Sequence, residues 1–300
     1  MIFYAVSGGI KQLLLLRILF FHYCAYWRKW KLRFFINIDH MNLSLDGHIV
    51  IVTGGASGIG EMICKVLSAE GAIPCIIDRN KEAGIRVVNE IAAAGGQAHF
   101  APADLTDATA CQNAVQDVIT KFGCINGLVN NAGLNDGVSL TKGTYDLFVN
   151  SLKTNVVHYY MMAHFALPAL IQTKGAIVNI SSKVAETGQG NTSGYAASNG
   201  IRNEMVESWA LELNTYGIRV NAVIVAECMT PQYEWWINQD DDPQQRLNEI
   251  NSRIPLENRM TTTKEIADMV TFLLSGKAAG INGELLHIDG GYVHLDRRLR

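Results

Sequence analysis

The apolar run Ile49-Val50-Ile51-Val52, followed at once by the segment Thr53 to Gly60 (TGGASGIG), leaves few folds open to this chain. Four consecutive β-branched residues have no polar face, which suits a strand covered on both sides in a parallel sheet. The glycines let the backbone turn tightly into a helix expected to begin near Ile59. Gly54, Gly58 and Gly60 carry no Cβ to hold a pyrophosphate away. The free N–H groups and positive dipole end of the helix attract the anion, with Ser57 and Ile59 in the same turn. A phosphate cradle at the end of a first strand is the expected result.

The rest of the chain repeats the strand-helix alternation about every thirty residues. A second apolar run, Ile73 to Asp78, ends in a carboxylate eighteen residues after Gly60. A carboxylate there accepts hydrogen bonds from the ribose hydroxyls of NAD and repels the extra phosphate of NADP, so NAD is the expected cofactor and NADP the lesser alternative. The other reading of Asp78 is a cap for the helix expected near Lys81. Helices are expected over 81–94, up to Phe122, over 144–172, around Tyr195 and over 263–274. Strands are expected over 97–101, 125–130, 176–182, 218–223 and 284–289. Thr106 or Asp107 caps the third helix. This pattern predicts an α/β chain with a single doubly wound parallel sheet and helices on both faces.

Charge is unevenly distributed. The first 40 residues hold six Lys/Arg and one Asp, leaving 19 basic and 27 acidic residues for the remainder. An acidic body argues against nucleic acid as a partner. Cys24, Cys64, Cys75, Cys111, Cys124 and Cys228 fall at irregular spacings without a CxxC pair, so neither a metal site nor a disulfide framework is expected, and a cytoplasmic location follows. The apolar segment from Leu13 to Trp27 is short, interrupted by Arg17 and followed by Arg28, Lys29, Lys31 and Arg33. It matches neither a spanning helix of roughly twenty residues nor a cleavable signal. We expect residues 1–40 to be a start-site artefact or a dispensable tail. A shallow membrane anchor is the alternative, and residues 41–300 form the domain.

The segment TGGASGIG, the tetrapeptide NNAG at 130–133, and Ser182 thirteen residues before Tyr195 together resemble the short-chain dehydrogenase/reductase family. The resemblance runs from Leu43 to the C-terminus and implies a Rossmann-type fold and a homodimer or homotetramer. It places Asp104 and Leu105 at the adenine, and Asn131, Ala132 and Gly133 along the cofactor. Thr230 falls on the carboxamide, and a substrate lid spans roughly 231–260. By the same resemblance Asn155, 24 residues past Asn131, organises a water in a proton relay. Transfer between an alcohol carbon and a nicotinamide needs a group that takes the hydroxyl proton and a donor for the developing oxyanion. Tyr195 and Ser182 fit those two roles.

Two departures stand out. The family pattern YxxxK becomes Tyr195 followed by Asn199, which offers the ribose a hydrogen bond but no charge. Arg202, two helical turns past Tyr195, and Lys183, next to Ser182, are the two available cations. A Pro-Gly pair usual before Thr230 is Val225-Ala226 here. The segments 187–195, 226–231 and 289–297 are similar to the sugar-acting members, the L-fucose dehydrogenases in particular. In that reading Lys183, Gln189, Asn191, Thr192 and Glu227 grip hydroxyls, and Trp235 or Trp236 stacks on a sugar face. Each also reads as a loop polar or a lid-packing aromatic. Two functions result: an NAD-dependent dehydrogenase oxidising an aldose or secondary alcohol, or an NAD-binding protein without efficient chemistry, because of Asn199.

Overall fold

The computed structural model describes residues 42–295. The elements, in order, are β1 (Ile49–Thr53), α1 (Gly58–Ala69), β2 (Ile73–Asp78), α2 (Lys81–Ala93), β3 (His99–Pro102), α3 (Ala108–Phe122) and β4 (Gly127–Asn130). They continue with α4 (Tyr145–Leu152), α5 (His158–Thr173), β5 (Ala176–Ser182), α6 (Ser193–Leu213), β6 (Arg219–Val225), α7 (Pro231–Ile237), α8 (Pro243–Asn251), α9 (Thr263–Leu274) and β7 (Leu285–Ile288). The readings for residues 1–40 lie outside the described residues. Among the described residues no helix is long and apolar enough to cross a membrane.

All seven strands are parallel, in the order β3-β2-β1-β4-β5-β6-β7. Every residue of β1 is buried, which is why its sequence is apolar without alternation. Ile49 and Ile51 join Ile77, Leu128, Met162 and Ile177 in the core layer that includes residues of α3, α5 and α6. Val50 and Val52 join Ile63, Leu67, Ile76 and Val270 in the layer that includes residues of α1 and α9. Burying such a side chain contributes roughly 1.5–3 kcal/mol, so the two layers fix the register. The strand order reverses between β1 and β4, where a doubly wound sheet opens a crevice beyond its strand ends. Pairing of Val52 with Val129, Asn130 with Asn179 and Ser182 with Val225 brings the ends of β1, β4, β5 and β6 to that edge.

The long helix expected over 144–172 is two helices. A wide π-type turn, Lys153–Val157, separates α4 from α5, and Asn155 lies within it. No glycine or proline marks the spot. The cause is long-range: the Arg202 guanidinium occupies the Asn155 carbonyl, and a side chain inserted into the helical ladder distorts it. The segment expected as a lid holds α7 and α8 over their own small core of Ile237, Ile250, Ile254 and Met260.

Candidate active site

The glycine turn has the form its sequence requires. Gly54 and Gly58 have φ of 65° and 57°, a region costly for other residues, and a Cβ on Gly60 would lie 2.2 Å from the Gly54 carbonyl oxygen. Ile59 packs on the core, while Ser57 is exposed before α1 and its hydroxyl makes no capping bond. Thr53 braces the turn from below: its Oγ accepts from the amides of Asn131 (2.9 Å) and Ala132 (3.2 Å). The Asn131 carboxamide donates to the carbonyls of Thr53 (2.9 Å) and Gly54 (3.3 Å), so it works as a strut between β4 and the cradle. An empty Cβ position, a free hydroxyl and the N-terminus of a twelve-residue helix fit a dinucleotide pyrophosphate.

Asp78 ends β2 beside this turn, accepting from the amides of Ala56 (3.2 Å) and Asn80 (2.9 Å). The cap of α2 is Asn80, whose side chain accepts from Ala83, so the capping reading of Asp78 falls away. Asp104 is exposed and binds the amide and hydroxyl of Thr106 at 2.9 and 2.8 Å. Those bonds hold its carboxyl below the usual carboxylate range. Asp107, rather than Thr106, caps α3, and Leu105 packs on the core.

Ser182 is the last residue of β5, and Tyr195 lies, half-buried, in the first turn of α6. The two elements are joined by the Ser181 hydroxyl, which donates to the Asn199 carbonyl at 3.3 Å. Asn199 is fully buried. Its carboxamide donates to the Tyr195 carbonyl (2.8 Å) and accepts from Arg202 (3.0 Å). Each end of that side chain thus has a partner inside the protein. Asn155 is committed too. Its Oδ1 accepts from the Leu134 amide at 2.7 Å, its Nδ2 reaches Ser151 at 3.5 Å, and its carbonyl receives Arg202 Nε at 2.9 Å. Both the side chain and the carbonyl of Asn155 thus have partners inside the protein.

Arg202 is 2% exposed. Its guanidinium donates to the carbonyls of Asn155, Ile180 (3.1 Å) and Ala132 (3.5 Å), and to Asn199 Oδ1. It stacks over Tyr159, 4.3 Å from the ring centre, and lies 6.0 Å from that of Tyr195. None of these partners is a carboxylate. Gly133 makes the space, because a Cβ there would sit 2.7 Å from Arg202 Nη2. Burial, then the guanidinium, push the neighbouring His158 imidazole down to about 3. Burial raises the Tyr159 hydroxyl, which donates to the Ile180 carbonyl at 2.9 Å.

Toward α7, Lys183 is ion-paired with Glu227 and sits over the Tyr292 ring, 3.8 Å from its centre. Glu227 also accepts from the Tyr233 hydroxyl at 2.8 Å; burial first, and then the Glu227 carboxylate, raise that phenol. Lys183 and Glu227 thus hold each other, and Tyr233 ties the pair to α7. Thr230 likewise caps α7 through the Tyr233 amide at 3.2 Å. Gln189 and Asn191 are exposed on the β5–α6 loop, and Thr192 is buried at the start of α6. Glu186 ties that loop to His287 of β7 at 3.1 Å. Trp235 and Trp236 are both exposed, and Trp236 packs edge-on against Tyr233, 5.3 Å between ring centres. Sequence reasoning missed Thr53, Tyr159, Tyr233 and Tyr292. Tyr159 had a signal, standing four residues after Asn155 and so one helical turn along.

Residues 54–293 match a protein-family model described as enoyl-(acyl carrier protein) reductase. The chain belongs to the short-chain dehydrogenase/reductase family. It is 32% identical to meso-2,3-butanediol dehydrogenase of Serratia marcescens, covering 83% of this chain and 96% of that protein. Against L-fucose dehydrogenase of Mus musculus the identity is 31%, over 82% of this chain and 88% of the relative. Among solved structures, the Cj0485 dehydrogenase superimposes with a TM-score of 0.82 at 38% identity, covering 86% of this family member and 99% of that chain.

Proposed function

We propose that this family member is an NAD-dependent oxidoreductase acting on a sugar or secondary alcohol, with an aldose such as L-fucose oxidised at its anomeric hydroxyl to the lactone as the leading substrate. The observation that carries the reading is the position of Ser182 and Tyr195 at the strand-end edge that also bears the glycine cradle. In the proposed reaction Tyr195 takes the proton of the substrate hydroxyl. Ser182 donates a hydrogen bond to the same oxygen as charge gathers there. A nicotinamide dinucleotide, when bound, would supply the acceptor for the hydride that leaves the substrate carbon. Gly54, Gly58, Gly60 and Ser57 hold its pyrophosphate, and Asp78 faces the ribose hydroxyls.

The named relatives, L-fucose dehydrogenase and meso-2,3-butanediol dehydrogenase, support an alcohol or sugar as the substrate class. The exposed Gln189, Asn191 and Trp235 remain the proposed sugar contacts. A cytoplasmic homodimer or homotetramer is part of the reading; it is supported by free cysteines at 64, 75, 111, 124 and 228 and by the family resemblance. No observation favours the non-catalytic alternative.

The test is turnover of NAD with a panel of aldoses and secondary alcohols. Reduction of NAD by at least one of them, lost in Tyr195→Phe, is the expected result. NAD should bind at least tenfold more tightly than NADP, about 1.4 kcal/mol, and Asp78→Ser should narrow that gap. No turnover with any member of the panel overturns the enzymatic reading, and equal dissociation constants overturn the cofactor preference.

A further inference from the structure

A tyrosine that accepts a proton near neutrality needs positive charge close by, and the usual lysine one turn on is absent. The two candidate cations are in opposite states. Lys183 is ion-paired with Glu227, so that pair presents little net charge to Tyr195. Arg202 is as deeply buried but meets only carbonyl and carboxamide oxygens. Burying a guanidinium without a carboxylate is costly, and an arrangement that retains one keeps its charge available to its surroundings.

From this we infer that Arg202 is the positioning residue that holds Tyr195 ready as a base, taking over from the missing lysine through the carbonyl cage of Ala132, Asn155, Ile180 and Asn199 Oδ1. The inference rests on the proposed reading of Tyr195 as the base. The remaining titratable groups around Tyr195 do not substitute for it. Tyr159, on α5, is a protonated donor to Ile180, and its neighbour His158 is kept uncharged by burial and by Arg202 itself. Lys183 is neutralised, and Asn199 serves as the link, bonding the Tyr195 carbonyl with one end and the guanidinium with the other.

One chemical consequence separates this device from a lysine. An arginine does not release its proton under working conditions, so it stabilises the phenolate without passing a proton onward. The proton gained by Tyr195 in each turnover then needs an acceptor other than the guanidinium.

The experiment is a spectrophotometric phenolate titration of the full-length protein without cofactor, with Tyr195→Phe subtracted to isolate Tyr195, alongside the pH profile of kcat. Arg202→Met should move both the Tyr195 transition and the acid-side limb of the profile upward by at least one pH unit. Arg202→Lys should restore part of that shift. Asn199→Asp, close to isosteric, sets a carboxylate against the guanidinium and should move both in the same direction as Arg202→Met, which keeps the test open where the methionine variant does not fold. A folded Arg202→Met or Asn199→Asp whose Tyr195 transition matches wild type overturns the inference and leaves Arg202 as a packing residue. Because the titration needs neither cofactor nor substrate, it reads Arg202 even where the turnover panel fails, and the two failures stay distinct.

Discussion

Two buried cations flank the Ser182–Tyr195 pair, and the protein treats them in opposite ways. Lys183, toward α7, is 8% exposed and cancelled by Glu227, with the Tyr233 hydroxyl and the Tyr292 ring completing its surroundings. Arg202, on the sheet side, is 2% exposed and held by oriented carbonyl dipoles. A carboxylate satisfies a buried cation and also removes its field, whereas carbonyl oxygens satisfy its hydrogen bonds and leave the net charge in place. Lys183 uses its charge to fasten two segments, and Arg202 keeps its own for the neighbouring rings.

The largest effect is expected where cancellation is broken. Glu227→Gln leaves the Lys183 ammonium buried without a counter-charge, and loss of one partner of such a pair costs about 3–5 kcal/mol. Pairing that change with Lys183→Met should recover most of the loss in urea denaturation. A full-sized loss in the double variant would mean that Tyr233 and Tyr292, rather than the ion pair, hold the lid.

The sheet side predicts a dependence on acid. His158 is held down to about 3 by burial and by Arg202, against an ordinary value near 6.5 in the unfolded chain. The unfolded state therefore binds a proton that the folded state refuses. The stability contribution is complete above pH 6.5 and is lost as pH falls toward 3, by about 1.4 kcal/mol per unit. At pH 5 the deficit is about 2 kcal/mol. Urea midpoints at pH 7 and pH 5 should differ less for His158→Asn than for wild type; equal differences would remove His158 from the account.

What the sequence disclosed and what it hid follow from the range of the forces involved. β1, β2 and β5 are legible because both faces of each strand are buried, so their apolar runs need no partner to be recognised. The glycine turn is legible because only glycine tolerates its φ values and the close approach at Gly60. The break between α4 and α5 is not, because it depends on Arg202, 47 positions beyond the Asn155 whose carbonyl it takes. The pairing of Lys183 with Glu227 spans 44 positions and was hidden for the same reason. Asp78 carried two meanings until Asn80 proved to be the cap of α2. The link from Tyr195 through Asn199 to Arg202 was hidden as well, because a four-residue spacing places Asn199 on the Tyr195 face without saying what its side chain meets.

The most direct measurement is kcat at pH 7 for Asn199→Lys in an otherwise unchanged protein. The substitution restores the lysine at its usual spacing, yet it places a second cation where the Asn199 oxygen now accepts from the guanidinium at 3.0 Å. With Arg202 already supplying the charge, Asn199→Lys should bring no gain in rate, and in the Arg202→Met background it should restore activity. A gain of tenfold or more in the otherwise native protein, equivalent to about 1.4 kcal/mol of barrier, would show that the charge beside Tyr195 was missing and contradict the assignment of Arg202.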